Sequence, residues 1–150
     1  MPTANKHRKP EASAPCLCGK EKWAECCGRF LNSTHAPETS LELMRSRYAA
    51  YALQNERYLM QTWFSATRPT PPLFAENEPI KWLSLEILSH HEDEHDGVIE
   101  FVARYKVNGR AQKLHEISRF VREDGRWFYL DGRFPDSRSP DNKSLDKPKT

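Results

Sequence analysis

The dipeptides Asp96-Gly97, Asn108-Gly109 and Asp124-Gly125 punctuate the second half of this chain, and between them apolar residues recur at every other position. Asn and Asp tolerate positive φ and glycine adopts it freely, so such pairs favour the tight turns of β-hairpins. Leu83, Leu85 and Ile87 begin the alternation, and Ile99, Phe101, Ala103, Tyr105 and Val107 continue it. His115, Ile117, Arg119 and Val121, then Trp127 and Tyr129, complete it. A period of two is the period of a strand. Four strands joined by tight turns predict an antiparallel meander over about 80–132.

Upstream the period changes. Thr39 and Glu42 form a capping box, in which each side chain is expected to satisfy the other's free backbone N–H. Met44, Tyr48, Tyr51 and Ala52 then fall on one stripe of a helix, with Arg45, Ser46, Arg47 and Glu56 largely off it. A second short helix from Glu56 to Phe64 would group Leu59, Thr62 and Trp63 before Pro69, Pro71 and Pro72 stop it. Helices that precede the strands predict an α+β domain, two helices packed on one face of a curved antiparallel sheet. The other face must be solvated, closed by a partner or curled into a pocket.

A chain of 150 residues has room for one core and a small appendage. Its 23 Lys and Arg against 21 Asp and Glu leave a formal charge of +2, far from that of a protein built to coat nucleic acid. No stretch approaches the roughly 20 apolar residues of a membrane span, and the opening MPTANKHRKPEASAP lacks the apolar run of a secretory signal. A cytoplasmic chain with no membrane partner is the expectation.

In that reducing compartment, Cys16, Cys18, Cys26 and Cys27 are better explained as metal ligands than as disulfides. Four thiolates complete a tetrahedral shell suited to zinc, with iron as the alternative. Gly19 permits the tight turn after the first pair, Gly28 permits the exit after the second, and Lys20, Lys22 and Arg29 are placed to offset the thiolate charge. So short a segment cannot fold alone, which makes metal binding and local folding one event.

The order Cys16, Cys18-Gly19, Trp23 and Cys26-Cys27-Gly28 resembles the SEC-C motif, a metal-binding tail first known from the SecA translocation ATPase. Its spacer from Gly19 to Glu25 is shorter than the motif's usual one, and Cys27 stands where SecA has a histidine. Downstream, Leu43-Met44-Arg45-Ser46-Arg47-Tyr48, Tyr58-Leu59, Thr62-Trp63, the run His115-Glu116-x-Ser118-x-Phe120 and Asp124-Gly125-Arg126-Trp127 resemble the YchJ-like bacterial proteins. The resemblance implies a SEC-C segment over 14–31 and a nuclear transport factor 2-like cone over 38–134, between disordered ends at 1–13 and 135–150. It also implies a protein partner for the SEC-C segment, a chaperone or the ribosome, because the SecA tail is a docking handle of that kind.

Two other clusters invite a chemical reading. His90-His91-Glu92-Asp93-Glu94-His95 carries metal-binding side chains, but its acids and the adjoining Asp96-Gly97 fit a solvated hairpin loop better. Glu116 and Ser118 share a strand face with Leu114 and Phe120, while His115 points the other way. If that face is the concave interior, Glu116 needs a partner, and Arg45 or Arg47 is the expected one. Arg45, Arg47, Glu116 and Ser118 are therefore the candidate pocket residues, with a structural ion pair favoured over catalysis. The sequence holds no complete catalytic constellation. It reads as a metal-organised, non-enzymatic interaction module linked to protein export or to ribosome or chaperone docking. The alternatives are a small-ligand-binding protein or enzyme using the pocket and, ranked third, nucleic-acid binding through the basic end that includes Lys6, Arg8 and Lys9.

Overall fold

A computed structural model describes residues 9–32, 35–74 and 80–135. The ends expected to be disordered fall, apart from 9–13 and 135, outside the described residues. A 3-10 turn at Trp23–Glu25 leads into α1 (Cys27–Leu31), followed by α2 (Ser40–Ala52) and α3 (Glu56–Gln61). Four strands complete the fold: β1 (Ile80–Glu92), β2 (Asp96–Val107), β3 (Arg110–Glu123) and β4 (Arg126–Arg133). They pair in sequence order as one antiparallel sheet. This is the expected α+β architecture, a helical layer on one face of a curved meander.

Two of the Asx-Gly pairs make the turns. Asn108 and Gly109 have φ of 53° and 80°, Asp124 and Gly125 have 54° and 79°, and each pair joins strands whose flanking residues are directly opposite. Positive φ at both positions matches the right-handed twist of the strands. Asp96-Gly97 behaves otherwise: the Asp93 carboxylate accepts the amides of His95 and Asp96 at 2.9 and 2.8 Å and turns the chain early, so Asp96 and Gly97 begin β2. Gly97 is needed there for a close approach, since a Cβ would lie 2.6 Å from Ser40 Oγ.

Bulges curve the sheet. In β1 the register shifts at Leu83 and again at Leu88, and both leucines are 45% exposed. An extra residue reverses the facing of what precedes it, so Trp82 and not Leu83 joins Leu85 and Ile87 over the core. A third shift, at Leu130 in β4, keeps Phe120 opposite Tyr129 on the inner face and Arg119 opposite Asp131 on the outer one. The Arg119 guanidinium grips Asp131 through two bonds of 2.7 Å, a pair in solvent with little to add to stability.

α2 is not the one-sided helix that its stripe predicts. Ser46 is fully buried and Arg47 is only 4% exposed, because α2 meets the sheet on one flank and α1 and α3 on the other. Thr39 caps it as expected by accepting the Glu42 amide at 3.0 Å, but Glu42 returns the bond to the Glu38 amide. Ser40 ties the same end to the sheet, its amide and hydroxyl both donating to Glu92 Oε1 at 2.8 and 2.6 Å. α3 ends at Gln61 rather than at Phe64. Thr62 closes it, and Phe64 N–H donates to Tyr129 O while Tyr129 N–H donates to Thr62 O, both at 2.8 Å, so this segment covers part of the β4 edge.

Candidate metal centre and cavity

The four cysteines converge. Pro15 and Lys22 form a bridge, Cys16 N–H donates to Glu21 O at 2.7 Å, and Gly19 N–H donates to Cys16 O at 2.9 Å, folding residues 15–22 into a tight knuckle. Gly19 sits at φ +87°, where a side chain would be strained. Cys26 and Cys27, at the start of α1, close the site from the other side. All four sulfurs lie within 4.8 Å of one another, with Cys18 to Cys26 at 3.6 Å and Cys26 to Cys27 at 4.0 Å, and all four residues are buried. A tetrahedron with zinc–sulfur bonds of about 2.3 Å has edges of about 3.8 Å. The donor set therefore fits a metal ion.

The electrostatics point the same way. The Cys18 thiol is pulled far below its ordinary value, first because Cys16 and then Cys27 donate to it, helped by the Lys20 amide and the Arg45 guanidinium. Cys16 is pushed up by its bond to Cys18, and Cys27 by its bonds to Cys16 and Cys18. Four sulfurs thus share one small buried volume, and a cation that displaced their protons would gain a full shell of thiolates. Lys20 and Lys22 are exposed. The cation built into the wall is Arg45, whose Nη1 donates to Cys18 O at 3.3 Å and whose buried Nε has no partner. Arg29 donates to Cys26 O at 3.1 Å and pairs with Glu42 at 3.5 Å. Gly28 admits Trp23, since a Cβ would stand 2.6 Å from Trp23 O. The cysteines belong to the same apolar cluster as Leu43, Met44 and Tyr48, so the knuckle is packed into the core rather than appended to it.

A second site lies between α2 and the concave face. This cavity of ≈ 120 Å³ has aromatic walls that include Tyr48, Tyr51, Trp82, Phe101 and Tyr105, and its polar side chains are Arg47, Glu116 and Ser118. Glu116, 8% exposed, accepts Ser118 Oγ–H at 2.8 Å and Tyr129 O–H at 2.9 Å, both at Oε2. Burial first, and the adjacent carboxylate second, push the Tyr129 hydroxyl well above its ordinary value of 10.0. Gly132 makes room for this arrangement: a Cβ there would overlap the Glu116 carboxyl group.

The expected ion pair does not form. Arg47 donates instead to Leu59 O at 2.9 Å and Thr62 Oγ1 at 2.7 Å, closing the end of α3, and its guanidinium stacks 4.8 Å from the Trp63 ring centre and 4.6 Å from that of Tyr129. A carbonyl, a hydroxyl and two aromatic faces satisfy it where it is, while two hydroxyls satisfy one oxygen of Glu116. Arg45 is not in the cavity at all, since adjacent-but-one positions on a helix face apart. His115 lies on the outer face, bonded to Glu100 at 2.7 Å, so it makes no dyad with Glu116 or Ser118. The histidine-rich run ends β1 and forms the turn, and Glu92 within it anchors Ser40; among the described residues the cysteines are the group able to hold a metal. Sequence reasoning missed Tyr129 and Gly132 as parts of the pocket. The Asp131-Gly132 pair carried a signal, a glycine inside a strand, which marks a close approach.

Comparisons with known proteins agree with both parts of this architecture. The sequence model of the YchJ middle NTF2-like domain matches residues 39–132, from the cap of α2 into the end of β4. A UPF0225 protein of Chromobacterium violaceum is 48% identical over 129 residues, 83% of this chain and 96% of that protein. Another, from Cupriavidus metallidurans, is 46% identical over 143 residues, 91% and 98% of the two chains. The solution structure of a SEC-C motif containing protein from Rhodopseudomonas palustris has a TM-score of 0.71 and 34% identity, covering 80% of this chain and 98% of that one. A crystal structure of a SEC-C motif containing protein from Psychrobacter arcticus, 22% identical with a TM-score of 0.63 over 85% and 86% of the chains, has the same fold. Among the described residues no helix is long and apolar enough to cross a membrane. With a cysteine knuckle set against an NTF2-like cone and curated relatives matched over nearly their whole length, this chain belongs to the YchJ-like, UPF0225 family.

Proposed function

We propose that the four cysteines hold one structural zinc ion and that the knuckle so formed docks a macromolecular partner, making the protein a non-enzymatic interaction module. The observation that carries this reading is the buried set of four sulfurs, all within 4.8 Å, whose spacing suits a tetrahedral shell. Zinc is favoured over iron because a closed four-thiolate shell with no open position is the usual structural zinc site. Protein export, with a chaperone or the ribosome as the partner, is what the likeness of the knuckle to the SecA tail implies, and a structural relative at 34% identity is named as a SEC-C motif containing protein. The placement of His115 on the opposite sheet face from Glu116 and Ser118 favours a binding role over hydrolytic catalysis. Nucleic acid is the lesser partner, to be recognised by a steep fall of affinity with salt.

The test is metal content by mass spectrometry of protein purified without chelator under reducing conditions, beside Cys16→Ser and Cys27→Ser. One zinc per chain, lost in both variants, is expected; iron would change the metal, and neither metal would remove the basis of the reading. Capture from lysate should then differ between wild type and Cys16→Ser. The same captured set from both would overturn the docking role while leaving the metal site intact.

A further inference from the structure

The cavity shares a core with the knuckle but none of its sulfur chemistry, and its own lining is specific enough to name an occupant. Its charges are already matched inside the wall: Tyr129 carries the Arg47 guanidinium on its ring face and the Glu116 carboxylate on its hydroxyl. A charged ligand would add an unbalanced ion to a desolvated space, which is costly. The remaining wall is aromatic and aliphatic, with Trp82 tilted against Tyr105 at 4.9 Å and edge-on to Tyr48 at 5.8 Å, a lining suited to a flat ring. Size limits that ring, since an apolar cavity of about 150 Å³ admits benzene and this one measures ≈ 120 Å³. One polar feature is incomplete. Ser118 and Tyr129 both donate to Glu116 Oε2, and Gly132 lies against that same oxygen, while Oε1 has no protein donor among the described residues.

We infer that this cavity binds an uncharged, single-ring aromatic ligand bearing one hydrogen-bond donor, which Glu116 Oε1 receives. Ring stacking supplies affinity and the carboxylate supplies orientation, because Oε1 is held on the cavity wall by the two bonds to its sister oxygen and a bond to a charged acceptor favours a ligand that carries a donor. Arg47 and Ser118 act on the ligand through Tyr129 and Glu116, as positioning residues.

Phenol is the probe, titrated into the full-length protein with its metal content intact and followed by NMR shifts of the Ala103 amide and the Trp82 indole. Benzene, benzoate and benzylammonium serve as comparisons. Saturable shifts at both positions are expected, with phenol binding about tenfold tighter than benzene, as for one bond to a charged acceptor, and with no saturation by either ion. Glu116→Gln should bring phenol to within about threefold of benzene while leaving benzene unchanged. Equal binding of phenol and benzene by the wild type, tighter binding of benzoate or benzylammonium, or no saturable shift with any of the four would each overturn the inference. These outcomes are read on wild-type protein and hold even if the Gln variant fails to fold. Partner capture by the knuckle does not enter them, so failure here leaves the docking proposal standing, and the reverse is also true.

Discussion

Arg45 and Arg47 are separated by one residue on α2, yet one guanidinium reaches the Cys18 carbonyl and the other is stacked between Trp63 and Tyr129. The first belongs to a site whose geometry is set by four sulfurs, and its own Nε is left without a partner. The second belongs to a site set by packing, where Arg47 and one oxygen of Glu116 are satisfied by neighbours that the fold supplies. A helix that serves two sites from two faces couples them mechanically while leaving their chemistry separate. If the proposed ion holds the knuckle, removing it would unmake that site, whereas the cavity can be unmade only by changing side chains.

The largest effect should follow from stripping the metal with a chelator under reducing conditions. Structural zinc contributes about 10–16 kcal/mol to the folding of isolated knuckles. Because the cysteines share a core with Leu43, Met44 and Tyr48, the melting temperature of the whole chain should fall by more than ~10 °C. A melt that lost the knuckle's signals and kept an unchanged main transition would show that the two regions are independent, and would break the comparison.

Arg47→Met comes next. It removes the donors to Leu59 O and Thr62 Oγ1 and the stacked cation, and should cost about 2–4 kcal/mol in urea denaturation with metal content unchanged. Arg45→Met should do the opposite, lowering metal affinity about tenfold in a competition titration and barely changing the urea midpoint of metal-saturated protein. If the two variants gave the same pair of readouts, the division of labour along α2 would be wrong.

Gly132→Ala sharpens the cavity side. The new Cβ would overlap the Glu116 carboxyl group, so about 1–3 kcal/mol should be lost. Placing Glu116→Ala in the same chain should recover part of that loss, a coupling that a double-mutant cycle measures directly. Additive costs would mean that the glycine answers to something other than Glu116.

What the sequence made legible follows from the range of the signals. Hairpin turns and strand alternation are local, and the meander was readable from them, as was the convergence of the four cysteines from their clustering. Trp82 facing inward was not, because the bulge at Leu83 arises from pairing with β2 and leaves no mark in β1 itself. The partners of Arg45, Arg47 and Glu116 were not readable either: each touches a residue brought close only by folding, and a pattern of charges and stripes cannot say which guanidinium meets which acceptor. Ser46 looked like a polar position off the stripe, and only the approach of α3, with Tyr58 O–H 2.6 Å from its hydroxyl, explains its complete burial.

The same burial gives the tyrosines packed around α2 and α3 a pH limit. Tyr58 is raised by burial to about 12, and Tyr48, Tyr51 and Tyr129 are raised by burial too, whereas in the unfolded chain each titrates near its ordinary 10.0. Because the folded state holds these protons more tightly, their contribution is fully present below pH 10 and is lost as pH rises through the folded values. For Tyr58 alone the slope approaches about 1.4 kcal/mol per pH unit once the unfolded group has ionised. Urea midpoints of metal-saturated protein should therefore be flat from about pH 8 to 9.5 and fall above pH 10, a loss that costs nothing at neutral pH. Tyr58→Phe should make that fall shallower, while Cys16→Ser should leave its slope unchanged, because thiolate ligands gain nothing from protons at high pH. A midpoint that stayed level through pH 11 would mean that these hydroxyls reach water in the folded protein, and that the cavity is wetter than its aromatic walls imply.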